Sequence, residues 1–256
     1  VFYVVSKDSE FVKALAKAAN GTRTVVLTQR GGSACDLEDE NVEVCEEEII
    51  LGDLDILNQL RYFFMRDCIT GVLKMDDRVL CIVDSDIRAS IFFDVGKSEM
   101  VKLMTDLEDY VDLDIMERAM DLALDIVREG REGQPVGALF ILCDTDRVLE
   151  KCTPHIINPF AGHSSRVKNL HDKKNWETIK QFALLDGACL VDNDGHAVAA
   201  GLYVKTHETP ASDGTGGRHA AAAAVTKGTR AVALLISSTG TIEVYKDGKV
   251  IFDMKY

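Results

Sequence analysis

Apolar residues recur along this chain with two periods, and the switches between them mark out its elements. Phe2-Tyr3-Val4-Val5 is an apolar run of strand length, after which Phe11, Val12, Leu15 and Ala19 recur at helical spacing behind Asp8 or Ser9, either of which can cap a helix. Asn20-Gly21 closes that helix, and Thr24-Val25-Val26-Leu27 starts a second strand at once. Strand, helix and strand over so short a span predict a right-handed parallel crossover. Val42-Glu43-Val44-Cys45 reads as a third strand, and Leu54, Leu57, Leu60, Phe64 and Cys68 mark one side of a helix over 53–70. Val79 to Val83 and Ile91 to Phe93 continue the strand rhythm, so residues 1 to about 96 predict an open parallel sheet with flanking helices.

Helices are expected next over 98–110 and 113–129, the second with Met116, Ala119, Met120, Ala123, Ile126 and Val127 on one wide apolar face. A boundary between them gives an N-terminal α/β domain at 1–112 and a C-terminal domain at 113–256. Val136 to Cys143 is the pattern of a buried strand, whereas 151–174, with two prolines and three histidines, reads as surface loop. Asn175 is the expected cap of a helix carrying Trp176, Ile179, Phe182 and Ala183 on one side. The apolar run Leu184 to Val191 is interrupted by Asp186 and Gly187; the acid is either a turn residue at a strand's start or a partnered functional group. Asp192-Asn193-Asp194-Gly195 is a hairpin turn with His196 to Val204 returning, Ala231 to Ile236 is another buried strand, and Lys246 to Lys249 joins a closing hairpin. The second half therefore predicts a mixed sheet with surrounding helices.

Composition narrows the function classes without choosing among them. With 46% hydrophobic and 28% charged residues the composition is that of an ordinary soluble globular protein, and a formal charge of -13 argues against a broad basic surface for nucleic acid or anionic lipid while leaving room for a local basic pocket. No apolar run approaches the roughly 20 residues of a transmembrane helix, and Phe2 to Val5 lacks the basic flank of a signal peptide. Seven cysteines, an odd number with no Cys-x-x-Cys pair, predict reduced thiols in a cytoplasmic protein. Asp84, Asp86 and Asp94 near strand ends read as caps or solvated acids, and His155, His163 and His171 as scattered loop histidines, rather than as metal sites. Gln29 to Ser33 lacks both the G-x-G-x-x-G and the P-loop patterns and reads as a plain loop.

The densest chemistry lies in Asp213-Gly214-Thr215-Gly216-Gly217-Arg218-His219, which runs into the helical block Ala220 to Ala224. Glycines allow a ligand close to the backbone, helix-initial N–H groups favour an anion, and Arg218 offers a fork suited to phosphate oxygens. The pattern alone fits either a phosphate site or a tight helix entry with solvated charges.

Gly137-Ala138-Leu139, Asp186-Gly187-Ala188 at the start of a strand hairpin, Gly217-Arg218-His219 and Ser237 follow one another with the order and spacing of a known family. Residues 113–256 resemble the diadenylate cyclase domain, and the N-terminal α/β domain looks like the one attached to archaeal enzymes of that type. The resemblance implies condensation of two ATP molecules to cyclic di-AMP and two pyrophosphates, with Mn²⁺ or Mg²⁺, in a homo-oligomer whose active sites meet face to face. It implies that Asp186 binds the metal or orients the 3′-hydroxyl, that Gly187 and Ala188 admit the nucleotide, that Gly216, Gly217, Arg218 and His219 hold the triphosphate, and that Ser237 adds a phosphate contact. Two departures stand out. The family's Thr-Arg-His-Arg is Gly217-Arg218-His219-Ala220 here, and the acidic pair after the strand-end serine is replaced by Ser238 and Thr239. Lys205, Lys227 and Arg166 are candidates for the lost charge. Those losses leave room for a second reading, a non-catalytic adenine-nucleotide sensor on the same fold.

Overall fold

The N-terminal pattern folds as the crossover it predicts. In the computed structural model, which describes residues 1–6, 8–28, 42–46, 56–85, 88–98, 106–206 and 216–255, strand β1 (Phe2–Ser6), helix α1 (Ser9–Ala18) and strand β2 (Thr24–Thr28) follow in turn, with β1 and β2 parallel. Asp8 is the cap of α1: its Oδ1 accepts from the N–H groups of Glu10 (2.9 Å) and Phe11 (3.2 Å). The loop at 29–33, Asp86 and residues 213–215 of the glycine stretch lie outside the described residues.

Strand β3 (Val42–Glu46), helix α2 (Ile56–Ile69), β4 (Arg78–Asp84) and β5 (Arg88–Asp94) complete a sheet of order β3-β2-β1-β4-β5. The first four strands are parallel, but β5 pairs antiparallel with β4. The link at 85–87 explains the turn-back: a parallel connection needs roughly a dozen residues or more, and a short link makes a hairpin. Asp84 pairs with Arg88 at 3.0 Å and Asp94 with Lys97 at 2.5 Å, so each acid is satisfied by a nearby cation.

The chain folds as two compact units, Val1–Lys102 and Leu103–Tyr256, where the sequence boundary falls at 112/113. The stretch before 113 is tied to the second unit by Tyr110, whose ring lies 5.1 Å from the Arg230 guanidinium and 4.2 Å from the Lys246 ammonium. Most of the helix expected at 98–110 lies outside the described residues.

The second unit contains α3 (Leu113–Glu129), β6 (Ala138–Leu142), α4 (Thr145–Lys151), β7 (Cys152–Pro154), α5 (Trp176–Ala183), β8 (Ala188–Val191) and β9 (Ala197–Val204). It continues with α6 (Gly217–Thr226), β10 (Val232–Ile236), β11 (Thr241–Lys246) and β12 (Lys249–Lys255). Seven strands form one mixed sheet, β12-β11-β10-β6-β8-β9-β7, in which β6 and β8 are parallel and the other pairs antiparallel. Every residue of β6 and β10 is buried, as continuous apolar runs require when both faces of a sheet are covered. On one face Ala222 and Val225 of α6 pack among Leu139, Ile141, Leu190, Ala233 and Leu235. Helix α3, with Met116, Ala119, Met120 and Ile126 buried, packs on β10.

Two details depart from the sequence pattern. The stretch 151–174 contains β7, a three-residue edge strand paired with β9; Pro154 is tolerated there because an edge strand has a side without ladder bonds. Asn175 does not cap α5. Its own backbone is already helical (φ -87°, ψ -14°), and its side-chain amide instead donates to the carbonyls of Arg166 (2.8 Å) and Asn169 (3.0 Å), bracing the loop below. Cys81, Cys143, Cys152 and Cys189 are buried free thiols, and among the described residues no helix is long and apolar enough to cross a membrane.

Candidate active site

Strand direction gathers the chemistry at one end of the second sheet. β6 and β8 are parallel, so Gly137 and Asp186-Gly187, which precede them, lie at the same end; β10 runs the other way and delivers Ser237 there. β9 returns antiparallel beside β8 and brings Tyr203 next to Asp186.

Asp186 lies in the bend just before β8, with its carboxylate open to solvent. Its Oδ2 accepts the Tyr203 hydroxyl proton and its Oδ1 accepts from the Gly187 N–H at 3.1 Å. The Tyr203 hydroxyl is the main cause holding the carboxyl below its usual range; partial desolvation opposes it, and the Gly187 N–H and the charges of Arg218 and His155 reinforce it. The same contact raises the Tyr203 phenol. The His155 ring packs against Tyr203 with centroids 4.6 Å apart. Asp186 is therefore an ionised carboxylate held by a tyrosine from the neighbouring strand.

Gly187 is required by its surroundings. Its φ is +102°, and a Cβ there would meet backbone atoms of Gly201 and Leu202 at 2.7–2.9 Å. Ala188 has its methyl buried in the apolar cluster beneath α6, which leaves only its backbone for a ligand.

The start of α6 forms the other half of the site. Gly216 offers no capping side chain and the first turn holds no acid, so the positive end of the helix dipole is left uncompensated by this segment. The Arg218 guanidinium lies against Gly137: a Cβ on that glycine would sit 3.0 Å from Nη1 and 3.1 Å from the Ile236 carbonyl oxygen. Arg218 Nε and His219 Nδ1 are both buried without a hydrogen-bond partner among the described residues. A buried polar group left so costs about 1–3 kcal/mol, and two on successive residues mark a place built for a ligand. On its other side His219 faces Glu243, Nε2 to Oε2 at 3.6 Å.

Among the described residues Gly217 is not demanded by packing, since a Cβ there meets none of their atoms within 4 Å. Ser237 Oγ accepts from the N–H groups of Thr239 (3.2 Å) and Thr241 (3.0 Å) and closes the turn after β10. Of the cations considered as substitutes, Lys205 donates to the Glu150 carbonyl at 3.0 Å, while Lys227 follows the opposite end of α6. Arg166 lies in a single 3₁₀ turn at Ser165–Lys168.

Sequence reasoning missed Tyr203, His155 and Glu243. Tyr203 ends an apolar strand and Glu243 alternates with Ile242 and Val244, patterns that read as ordinary surface positions. One cluster of ligating groups among the described residues, Asp192, Asp194 and His196, lies at the other end of β8. There Asp192 Oδ1 accepts from the N–H groups of Asp194 (3.0 Å) and His196 (2.8 Å), which is the bonding of a hairpin turn.

Comparison with known proteins joins these parts. The family model described as "DisA bacterial checkpoint controller nucleotide-binding" (DAC) matches residues 126–250, a span that contains Gly137, Asp186, Arg218, His219, Ser237 and Glu243. The match spans just under half of the chain and most of its second unit. It is 34% identical over 192 residues to the diadenylate cyclase of Methanocaldococcus jannaschii, covering 71% of this chain and 61% of that protein. It is 33% identical over 143 residues to the diadenylate cyclase of Haloferax volcanii, covering 55% of this chain and 52% of that one. The chain thus spans between half and two thirds of the length of these DAC relatives. A crystal structure of DacA from Staphylococcus aureus is similar over 54% of this chain and 84% of its own, at 20% identity and a TM-score of 0.38, too distant to add to the assignment.

Proposed function

We propose that this chain is a diadenylate cyclase of the DAC family, condensing two ATP molecules into cyclic di-AMP with release of two pyrophosphates. The observation that carries the reading is the two-part site: an ionised Asp186 at one strand start, and, close enough for its charge to act on that carboxylate, Arg218 followed by His219 with orphaned buried nitrogens at the start of α6. A sensor needs the second part; the held carboxylate serves chemistry.

In this reading Arg218, His219 and the α6 N-terminus grip one triphosphate, and the backbone at Gly187 and Ala188 lies against the nucleoside. Asp186 accepts a hydrogen bond from the 3′-hydroxyl and aligns its oxygen. That oxygen attacks the α-phosphorus of the facing ATP, the bond from α-phosphorus to the bridging oxygen of the β-phosphate breaks, and pyrophosphate leaves in line. The hydroxyl proton passes to solvent through the Asp186 hydrogen bond, the Tyr203 contact favouring the ionised carboxylate. Charge growing on the leaving pyrophosphate is met by Arg218 and the helix dipole. A second round, with the roles of the two nucleotides exchanged, closes the ring.

Asp186 fits a divalent cation, because a carboxylate with two hydrogen bonds accepted retains free lone pairs, and Mg²⁺ commonly binds through one or two carboxylates plus substrate phosphates. Mn²⁺ or Mg²⁺ bound there would supply Lewis acidity toward the phosphates. Each site holds one ATP, so the reaction calls for two copies facing each other across a two-fold axis, and a homo-oligomer follows.

The test is incubation of purified protein with ATP and Mn²⁺ or Mg²⁺, followed by chromatography of the products. Cyclic di-AMP with pyrophosphate at one to two is the expected result. ATP binding without turnover in either metal would replace this reading with the nucleotide-sensor one.

A further inference from the structure

The acidic face that backs the histidine has no part in the scheme so far. Glu243 and Tyr245 sit two positions apart on β11 and so point to the same side of the sheet, the side covered by α6. The Tyr245 hydroxyl donates to Glu243 Oε2 at 2.7 Å, and that same oxygen lies 3.6 Å from His219 Nε2. Tyr245 is itself 6% exposed, and burial followed by the Glu243 contact pushes its phenol far above the usual range, so it stays a donor. The carboxylate is thus fixed from behind and presented to one nitrogen of the ring. The other nitrogen, Nδ1, is the buried one without a partner among the described residues, 3.5 Å from where a Cβ on Gly216 would stand.

We propose that Glu243, fixed by Tyr245, is a positioning residue that keeps a proton on His219 Nε2 and so reserves Nδ1 for the nucleotide. Which ring nitrogen carries the proton is set by the hydrogen bond the other makes, and a carboxylate accepts only from an N–H. The present separation exceeds a hydrogen bond, and such contacts tighten when substrate closes the site. With Nε2–H committed to Glu243, Nδ1 meets the triphosphate, donating once it takes a proton from solvent. The inference rests on the cyclase reading for the identity of the ligand but not for the state of the ring.

The experiment is ¹⁵N-histidine NMR of the full chain at alkaline pH, where the ring is neutral, with the His219 signals assigned by their loss in His219→Gln. The expected result is a dominant Nε2–H tautomer in the wild type and a mixed population in Glu243→Ala. Glu243→Gln, which keeps an acceptor oxygen and the strand's shape, is expected to retain the Nε2–H form, so any disturbance of β11 by alanine is separated from loss of the acceptor. In parallel, turnover of ATP by Glu243→Ala is expected to fall about tenfold or more, the usual cost of losing an orienting partner, with Glu243→Gln between it and the wild type. A wild-type Nδ1–H tautomer, or the same tautomer population in wild type and Glu243→Ala, would overturn the proposal. Absence of cyclic di-AMP from the wild type would strike the cyclase reading and leave the tautomer result standing.

Discussion

Asp186 and Asp192 bracket the same four-residue strand, β8, and the structure uses them in opposite ways. Asp192 turns inward on its own hairpin, its Oδ1 taking two backbone N–H groups within 3.0 Å. Close by, Asp144 Oδ2 accepts the Arg230 N–H at 2.6 Å and Thr229 Oγ1 donates to the Val225 carbonyl at 2.7 Å, while the buried Thr145 Oγ1 is without a partner among the described residues. At the other end Asp186 is open to solvent and bound by a tyrosine, while two buried nitrogens of Arg218 and His219 find no partner among the described residues. One sheet therefore has an end whose carboxylates are closed on backbone and, at Asp186, Arg218 and His219, an unfinished one. Polar groups that complete each other hold a fold together; those left waiting are kept for something that arrives later.

The largest expected effect comes from filling the space on which the unfinished end depends. Gly187→Ala forces a side chain onto φ +102° and into backbone atoms at 2.7–2.9 Å, so β8 and β9 must separate. We expect a stability loss of about 2–3 kcal/mol, read as a drop of several degrees in melting temperature, together with loss of nucleotide turnover.

A smaller effect separates charge from architecture. Tyr203→Phe removes the strongest cause of the low Asp186 pKa and leaves the exposed ring in place. The sign follows directly: the carboxylate then gains its proton at higher pH, and activity that needs the ionised form is lost earlier as pH falls. The acid limb of the kcat/KM profile is expected to move upward with the alkaline limb fixed. An unmoved acid limb would mean that Asp186 does not act as a carboxylate.

The smallest effect lies at Gly217, where nothing among the described residues opposes a side chain. Gly217→Ala is expected to raise stability by about 0.5–1 kcal/mol through reduced freedom of the unfolded chain, measured by denaturant midpoint. A loss of turnover in that stable variant would show that the phosphate needs the bare backbone there.

Much of this contrast was legible in the sequence, and the exceptions have physical causes. Strand and helix periods located β1, β2, β6, β8, β9, β10 and the α6 block, because sheets buried on both faces write long apolar runs. The same runs carry no direction, so the antiparallel return of β5 had to come from the shortness of its link. Asp186, Arg218 and His219 are marked in the sequence as charge and glycine beside buried strands, but only the resemblance to the diadenylate cyclase domain gives them roles. Tyr203 and Glu243 did not, since each acquires its role only from a neighbour on another element, Asp186 in one case and His219 in the other. Glu243 lies on the strand after Ser238 and Thr239, and its place beside His219 is set by the pairing of β10 with β11.

The two aspartates offer the most direct test. Asp186→Asn and Asp192→Asn change one charge each at opposite ends of β8, and both are to be assayed for cyclic di-AMP from ATP with Mn²⁺ alongside a melting curve. We expect Asp186→Asn to lose product by about a hundredfold or more with its melting temperature unchanged, and Asp192→Asn to lose about 1–2 kcal/mol of stability while still making product. Product from a folded Asp186→Asn protein at the wild-type rate would contradict the account.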